Sequence, residues 1–278
     1  MNDNTLLADF DDATAIAILS GVDADVQNYI NALTTAGVTP SQTVQGYINT
    51  FITGLKNNGI WSSIYCLYPF IGGTAATHAI NAKSPGTYNI NWSGTVTHSS
   101  NGSVGDGSTG YGDTQFTIAT NLPSPQAACA MGCYVNSVNT YNNRIDMGVT
   151  DLSNYWWLGS WYNTSTNKSF IQGYYVSTQL NSSSYGPGFY VANHINGQTV
   201  TLYQNGTSVG TATDNVSFTP PSDTVYLLAG DVGQAAAQHF TANPMYFAFI
   251  GIALTPTQVS NLSSLVNALQ TSLGRNLY

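Results

Sequence analysis

Thr199-Val200-Thr201-Leu202-Tyr203-Gln204-Asn205-Gly206-Thr207-Ser208-Val209-Gly210-Thr211-Ala212 is the stretch that decides the fold. Val200 and Leu202 alternate with Thr and Tyr, the period-two pattern of a strand with one buried face. Gln204-Asn205-Gly206 follows, and Asn and Gly tolerate the positive φ that a tight reversal between strands requires. Residues 208–212 then read as the returning strand. Working outward, the same grammar of short apolar or alternating runs, broken by Gly, Asn, Ser and Pro, holds from 61 to about 253. Further strands are expected at 63–71, 88–96, 114–119, 127–135, 146–149, 169–178, 188–194, 225–229 and 245–250. Many short strands at this spacing predict a mainly β sandwich or jelly roll.

Helical patterns flank the sandwich. Asp23 caps a segment whose apolar positions are Val26, Tyr29, Ile30 and Leu33, ending near Gly37. Thr39-Pro40 reads as a cap followed by proline in the first helical position. It precedes the stripe Val44, Tyr47, Ile48, Phe51, Ile52 and Leu55, which must pack on something. A second such start, Thr255-Pro256, opens the stripe Val259, Leu262, Leu265, Val266, Leu269 and Leu273, with Gly274 at the C-terminal cap. The expected organisation is therefore a helical region over 1–60, serving as anchor or oligomerisation element, and a sandwich with its C-terminal helix over 61–278.

Charge narrows the function. Only 6% of the 278 residues are charged, all 13 acidic residues are Asp, and the net charge is −8. Lys56, Lys83, Arg144, Lys168 and Arg275 are too few and too scattered to neutralise a run of phosphates, so nucleic-acid binding is excluded. The longest apolar run, 245–254, is about half of the roughly 20 residues a spanning helix needs, so no membrane insertion is expected. Three cysteines make no disulfide framework, and the N-terminus lacks the pattern of a signal peptide, so synthesis in a reducing cytoplasm is expected.

Sandwich glycosidases place paired carboxyl groups across the scissile bond. This chain has no Glu and no Asp-x-Asp on an expected strand, so no catalytic residue is assigned. Cys129 and Cys133, with His78, His98, His194 and His239, invite zinc, but on a strand they share one face and read better as packing thiols. The segment 102–113 is read as a turn carrying the chain across an edge of the sandwich. Asp106 or Asp113 with backbone carbonyls is the alternative there, a calcium site; otherwise no cofactor is expected. The aromatic cluster supplies the candidate ligand site: Trp156, Trp157, Trp161, Tyr174 and Tyr175. Strand neighbours point to opposite faces, so Trp156 and Trp157 cannot both enter one core. The outward ring meets a glycan, whose C–H face stacks on it, or is covered by a helix or subunit.

Several segments in order carry a resemblance. Phe51-Ile52-Thr53-Gly54-Leu55-Lys56-Asn57-Asn58-Gly59-Ile60-Trp61 leads into Ile64-Tyr65-Cys66-Leu67-Tyr68-Pro69-Phe70-Ile71-Gly72-Gly73. Asn81-Ala82-Lys83-Ser84-Pro85, Asn101-Gly102 and Gly105-Asp106-Gly107-Ser108-Thr109-Gly110-Tyr111-Gly112-Asp113-Thr114 follow. Leu202-Tyr203-Gln204-Asn205-Gly206, Ala248-Phe249-Ile250-Gly251, Leu254-Thr255 and Gln270-Thr271-Ser272-Leu273-Gly274-Arg275 complete the order. From Thr39 to the C-terminus the chain resembles tailed-bacteriophage virion proteins with a laminin-G-like, concanavalin-type jelly roll. The resemblance implies a structural fibre, decoration or receptor-binding protein on the head or tail of the particle, made in the host cytoplasm. It implies other virion proteins as partners, a homo-oligomer with a trimer favoured, and contact with a host-surface glycan. Its motifs carry turns and core and transfer no catalytic residues. The alternative functions are a carbohydrate-binding adhesion module and, third, a polysaccharide-degrading enzyme.

Overall fold

The hairpin forms as its sequence demands. In the computed structural model, β11 (Thr199–Gln204) pairs antiparallel with β12 (Thr207–Thr213). Asn205 (φ 52°) and Gly206 (φ 80°) make the turn, both in the left-handed region that a two-residue reversal requires. The structure describes residues 22–123, 128–136, 144–151, 154–159, 170–173, 186–195, 199–213, 219–231, 233 and 236–278.

Sixteen strands among the described residues form two eight-stranded sheets. In the first, the order is β12, β11, β10 (Gly188–His194), β6 (Cys129–Val135), β16 (Met245–Ile252), β4 (Gly102–Gly105) and β3 (Val96–Ser99), with β1 (Ile64–Tyr68) also on β16. In the second, it is β15 (Ala237–Gln238), β14 (Gly230–Asp231), β7 (Met147–Thr150), β13 (Thr224–Leu227), β5 (Tyr111–Thr117) and β2 (Asn91–Ser93). Here β8 (Tyr155–Gly159) pairs with β7, and β9 (Phe170–Gly173) with β8. The architecture is a mainly β, two-sheet jelly-roll sandwich with helices on one side.

Alternation along the central strands explains the layering. On β6, Cys129, Met131, Cys133 and Val135 enter the core between the sheets, while Ala130 and Tyr134 face the helices. Central strands covered on both faces read as continuous apolar runs, and this is why 245–254 is so hydrophobic. The cysteines are free and buried, as packing thiols should be. On the outer face of the first sheet lie α1 (Ala24–Thr35), α2 (Gln42–Asn57) and α5 (Pro256–Ser272), sharing one apolar cluster with Leu67, Phe189, Phe247 and Phe249. The stripes of α1 and α2 are thus covered by this chain's own sheet and by α5. Lys56 pairs with Asp23 and Asp25, joining the end of α2 to the start of α1. No helix among the described residues is long and apolar enough to cross a membrane.

Three local expectations need correction or extension. Helix α2 starts at Gln42, capped by Ser41, whose hydroxyl accepts the Val44 N–H; Thr39-Pro40 precedes the cap. Residues 88–96 do not form one strand, because Gly94 (φ 65°) breaks the run and sends β2 and β3 to different sheets. Residues 155–159, absent from the expected strands although Trp156 and Trp157 alternate as strand neighbours, form β8. Thr255 does cap α5, in a reciprocal box with Gln258. The Gly-rich segment carries the chain from β4 in one sheet to β5 in the other, as its turn composition implied. Two short helices, α3 (Ala75–His78) and α4 (Ile118–Asn121), complete the fold.

The quoted motifs have visible structural work. Asn81, fully buried, accepts from the Leu67 and Lys83 N–H groups and donates to the Tyr65 and Thr87 carbonyls. Arg275 donates to the carbonyls of Pro69, Phe70, Ser100 and Tyr246, fixing the C-terminal segment to the loop after β1.

Candidate functional site

Strand alternation divides the aromatic cluster. Trp156 and Leu158 of β8 point into the core between the sheets, and Trp156 is fully buried. Trp156 is therefore withdrawn as a ligand contact: its ring is needed to fill the sandwich. Tyr155 and Trp157 point the other way, onto the outer face of the second sheet, and both are half-buried. Trp161, Tyr174 and Tyr175 lie outside the described residues.

Register builds the rest of the face. Trp157 is opposite Gly148, Gly148 opposite Tyr226, Tyr226 opposite Asp113, and Asp113 opposite Asn91. Directly opposed residues share a face, so these five form one row across β8, β7, β13, β5 and β2. At the usual strand spacing the row spans about 19 Å. Its first half is aromatic. The Trp157 ring meets Tyr155 edge-on at 5.3 Å and His239 at 5.3 Å, and Tyr226 stacks at a tilt on Tyr111, 4.8 Å away, with Phe240 beyond. Gly148 makes room for the indole: a Cβ there would stand 2.5 Å from Trp157 Cδ1. The indole also reaches Gly230 of β14, and its buried Nε1–H has no partner among the described residues.

The second half is polar. Asp113 Oδ1 accepts the Gln115 N–H, and its other oxygen has no protein donor among the described residues. Asn91 is exposed at the end of the row. Burial pushes the Tyr226 hydroxyl up, and the charges of Asp231 and Asp113 add to this, so it remains a protonated donor. Asp231, fully buried, is pushed up to about 7 by burial and by the charges of Asp223 and Asp113. One of its oxygens accepts the Gly233 N–H; the other is buried with no hydrogen-bond partner among the described residues.

The two cation candidates have different settings. Asp106 sits in the turn between the sheets. It accepts from the N–H groups of Ser108, Thr109 and Gly110 and from the hydroxyls of Ser108 and Thr109. Those donors hold its carboxyl well below the usual range, so Asp106 organises the turn. Asp113 belongs to the row. Among the described residues, no group of three or more His, Cys, Asp or Glu side chains is placed to hold a metal ion.

His78 and His98 do come together, around Ser103 rather than a cysteine. His78 Nδ1 is 2.9 Å from Ser103 Oγ, and His98 Nδ1 is 3.1 Å from the same hydroxyl and 3.2 Å from His78 Nδ1. The Gly73 N–H donates to His78 Nε2, so the His78 proton resides on Nδ1. A cavity of about 550 Å³ opens nearby, lined by Tyr47, Phe70, Gly73, Ser100 and Arg275.

Sequence reasoning named Trp157 as a ligand contact, Asp113 as a calcium alternative and His239 only with the cysteines, and did not single out Gly148, Tyr226 or Asn91. The alternation of Tyr226 with Val225 and Leu227 is the signal that its ring leaves the core between the sheets; on the outer face Tyr111 packs on it and it is buried.

No family model and no curated protein matches the chain. Among solved structures, a Trypanosoma rangeli sialidase in complex with 2-keto-3-deoxy-D-glycero-D-galacto-2,3-difluoro-nononic acid superposes with a TM-score of 0.52 at 10% identity. It covers 79% of this chain and 39% of the sialidase, so the chain spans about two fifths of that protein's length. Domain 4 of AbnA, a GH43 extracellular arabinanase from Geobacillus stearothermophilus in complex with arabinotriose, gives 0.49 at 14% identity, covering 72% of this chain and 98% of that domain. The CBM40 of a Ruminococcus gnavus IT-sialidase bound to α2,3 sialyllactose gives 0.41 at 10% identity, over 53% and 90%. The chain shares its fold with part of the T. rangeli sialidase.

Proposed function

We propose that this chain is a non-enzymatic carbohydrate-binding adhesion module whose ligand lies along the row from Trp157 to Asn91. One observation carries the reading: register brings a half-buried indole, a half-buried carboxylate and an exposed amide into a single line on one sheet face, with the buried Tyr226 supporting the middle of the line. Sugars need both kinds of surface. Their C–H faces pack on aromatic rings, and their hydroxyls require hydrogen-bond partners when desolvated. Asp231, the carboxyl next along from Gly230, is fully buried, which favours binding over turnover, since hydrolysis requires two carboxyl groups reaching the scissile bond. A fold shared with part of a sialidase is compatible with a sugar ligand.

The resemblance of the ordered motifs to phage virion proteins favours display of this module on a particle surface, beside other virion proteins and as a homo-oligomer. Mass spectrometry of purified particles tests the display; a chain found free in cells and absent from particles rejects it. A glycan array with the wild-type chain and with Trp157→Ala and Asp113→Asn tests the binding. Specific binding weakened by both substitutions is expected. No binding to any glycan, or binding indifferent to both, overturns the reading. Turnover of a bound polysaccharide by the wild type would replace the module with an enzyme.

A further inference from the structure

The charges around the row bear on which sugars it accepts. Asp113 lies within the row, half-buried, and accepts only the Gln115 N–H among the described residues; Asp231, buried beside Gly230, holds its proton up to about neutral pH and adds little charge there. Recognition of a sugar carboxylate calls for the opposite, a guanidinium or ammonium directed at the ligand. The described cations are committed elsewhere. Lys56 and Lys83 flank Trp61 on the helical side, Lys83 with its ammonium 4.1 Å from the ring centroid and donating to the Trp61 carbonyl. Arg275 is buried among four backbone carbonyls. Arg144 donates through Nη1 to the carbonyls of Gly107 and Phe240, stitching the turn at the edge of the face. Lys168 lies outside the described residues.

We infer that the row selects neutral glycans and rejects those bearing sialic or uronic acid, with Asp113 as the discriminating residue. This rests on the carbohydrate-binding reading above and gives it a substrate class. Asp113 serves in two ways. Its unpartnered oxygen accepts from sugar hydroxyls, and charge-assisted hydrogen bonds of this kind are stronger than neutral ones. The same charge repels an anionic sugar seated on the row, and the described cation at the edge of the face, Arg144, is turned to the carbonyls of Gly107 and Phe240.

The test uses the full chain and a panel of neutral hexose- and pentose-terminated glycans, each with a counterpart on the same linker extended by sialic or uronic acid. Neutral members should bind at least about tenfold more tightly than their anionic partners in low salt. The gap should narrow as ionic strength screens the repulsion, and shrink in Asp113→Asn, which keeps an acceptor for the Gln115 N–H. Anionic members bound as well as neutral ones, or a gap unmoved by salt and by Asp113→Asn, would overturn the inference and leave the module reading intact. Failure to bind any member overturns both.

Discussion

Substituting Gly148 with Ala perturbs the row at its tightest point. A Cβ on residue 148 would stand 2.5 Å from Trp157 Cδ1, 3.0 Å from the Trp157 Cα and 3.1 Å from the Trp156 carbonyl oxygen. The indole could rotate away, but the other two atoms are backbone of the paired strand and yield less easily. Overpacking of this kind costs about 1–3 kcal/mol. Ala also restricts the unfolded chain, which returns about 0.4–1 kcal/mol at positions that accept it without strain. The clash should win, lowering Tm by a few degrees at about 2–4 °C per kcal/mol. Gly230 is the internal control. Its Cβ would meet Trp157 Nε1 at 3.4 Å and Ile145 at 3.5 Å, ordinary contact, so Gly230→Ala should be neutral or slightly stabilising. Thermal unfolding followed by circular dichroism ranks the two, and the glycan array reads the consequence. Gly148→Ala should lose stability and binding together while Gly230→Ala keeps both. If the two variants melt alike and bind alike, Trp157 does not lie across Gly148 and the site described here is wrong.

Other consequences follow from buried polar groups. The folded pKa of Asp231, about 7, exceeds its reference value of 3.8, so the folded chain holds that proton more tightly than the unfolded one. Its contribution is complete below about pH 4 and lost as pH rises through 7, on the order of 4 kcal/mol. Asp231→Asn, which retains an acceptor for Gly233, should raise Tm at pH 8 with the gain vanishing towards pH 4; an unchanged Tm at pH 8 contradicts this. His78 behaves oppositely, since burial and then the charges of His98 and Arg275 lower it to about 3. Its contribution is present above pH 6.5 and is lost as pH falls towards 3, by about 1.4 kcal/mol per unit. Nitrogen-15 NMR at pH 5 should find His78 neutral with its proton on Nδ1, and an imidazolium there would refute the assignment. Asn81→Ala removes four hydrogen bonds around buried backbone groups and should cost about 2–4 kcal/mol in urea unfolding; a loss below 1 kcal/mol would show that those groups find other partners.

The hairpin and α5 were legible because their signals are local: Asn205-Gly206 fixes one turn, and Thr255-Pro256 with Gln258 fixes one cap. The same local grammar misplaced the start of α2, where Ser41 competes with Thr39 for the cap and wins because its hydroxyl reaches the Val44 N–H. Alternation along β8 divides Trp156 from Trp157, but no local pattern says which of the two faces inward; the core takes Trp156 with Leu158. The row itself was not legible. Asn91, Asp113, Gly148, Trp157 and Tyr226 are scattered over more than half of the sandwich sequence, and only the pairing register makes them neighbours. A one-residue slip in any of those strands would send its member of the row to the opposite face, which no local pattern specifies.

The most direct measurement is amide and indole chemical-shift mapping of the labelled full chain titrated with a neutral oligosaccharide found on the array. Saturable shifts centred on Gly148, Asp113, Tyr226 and the Trp157 indole N–H are the predicted result. Shifts confined to the helical layer, or to the cavity beside Arg275, would contradict the account.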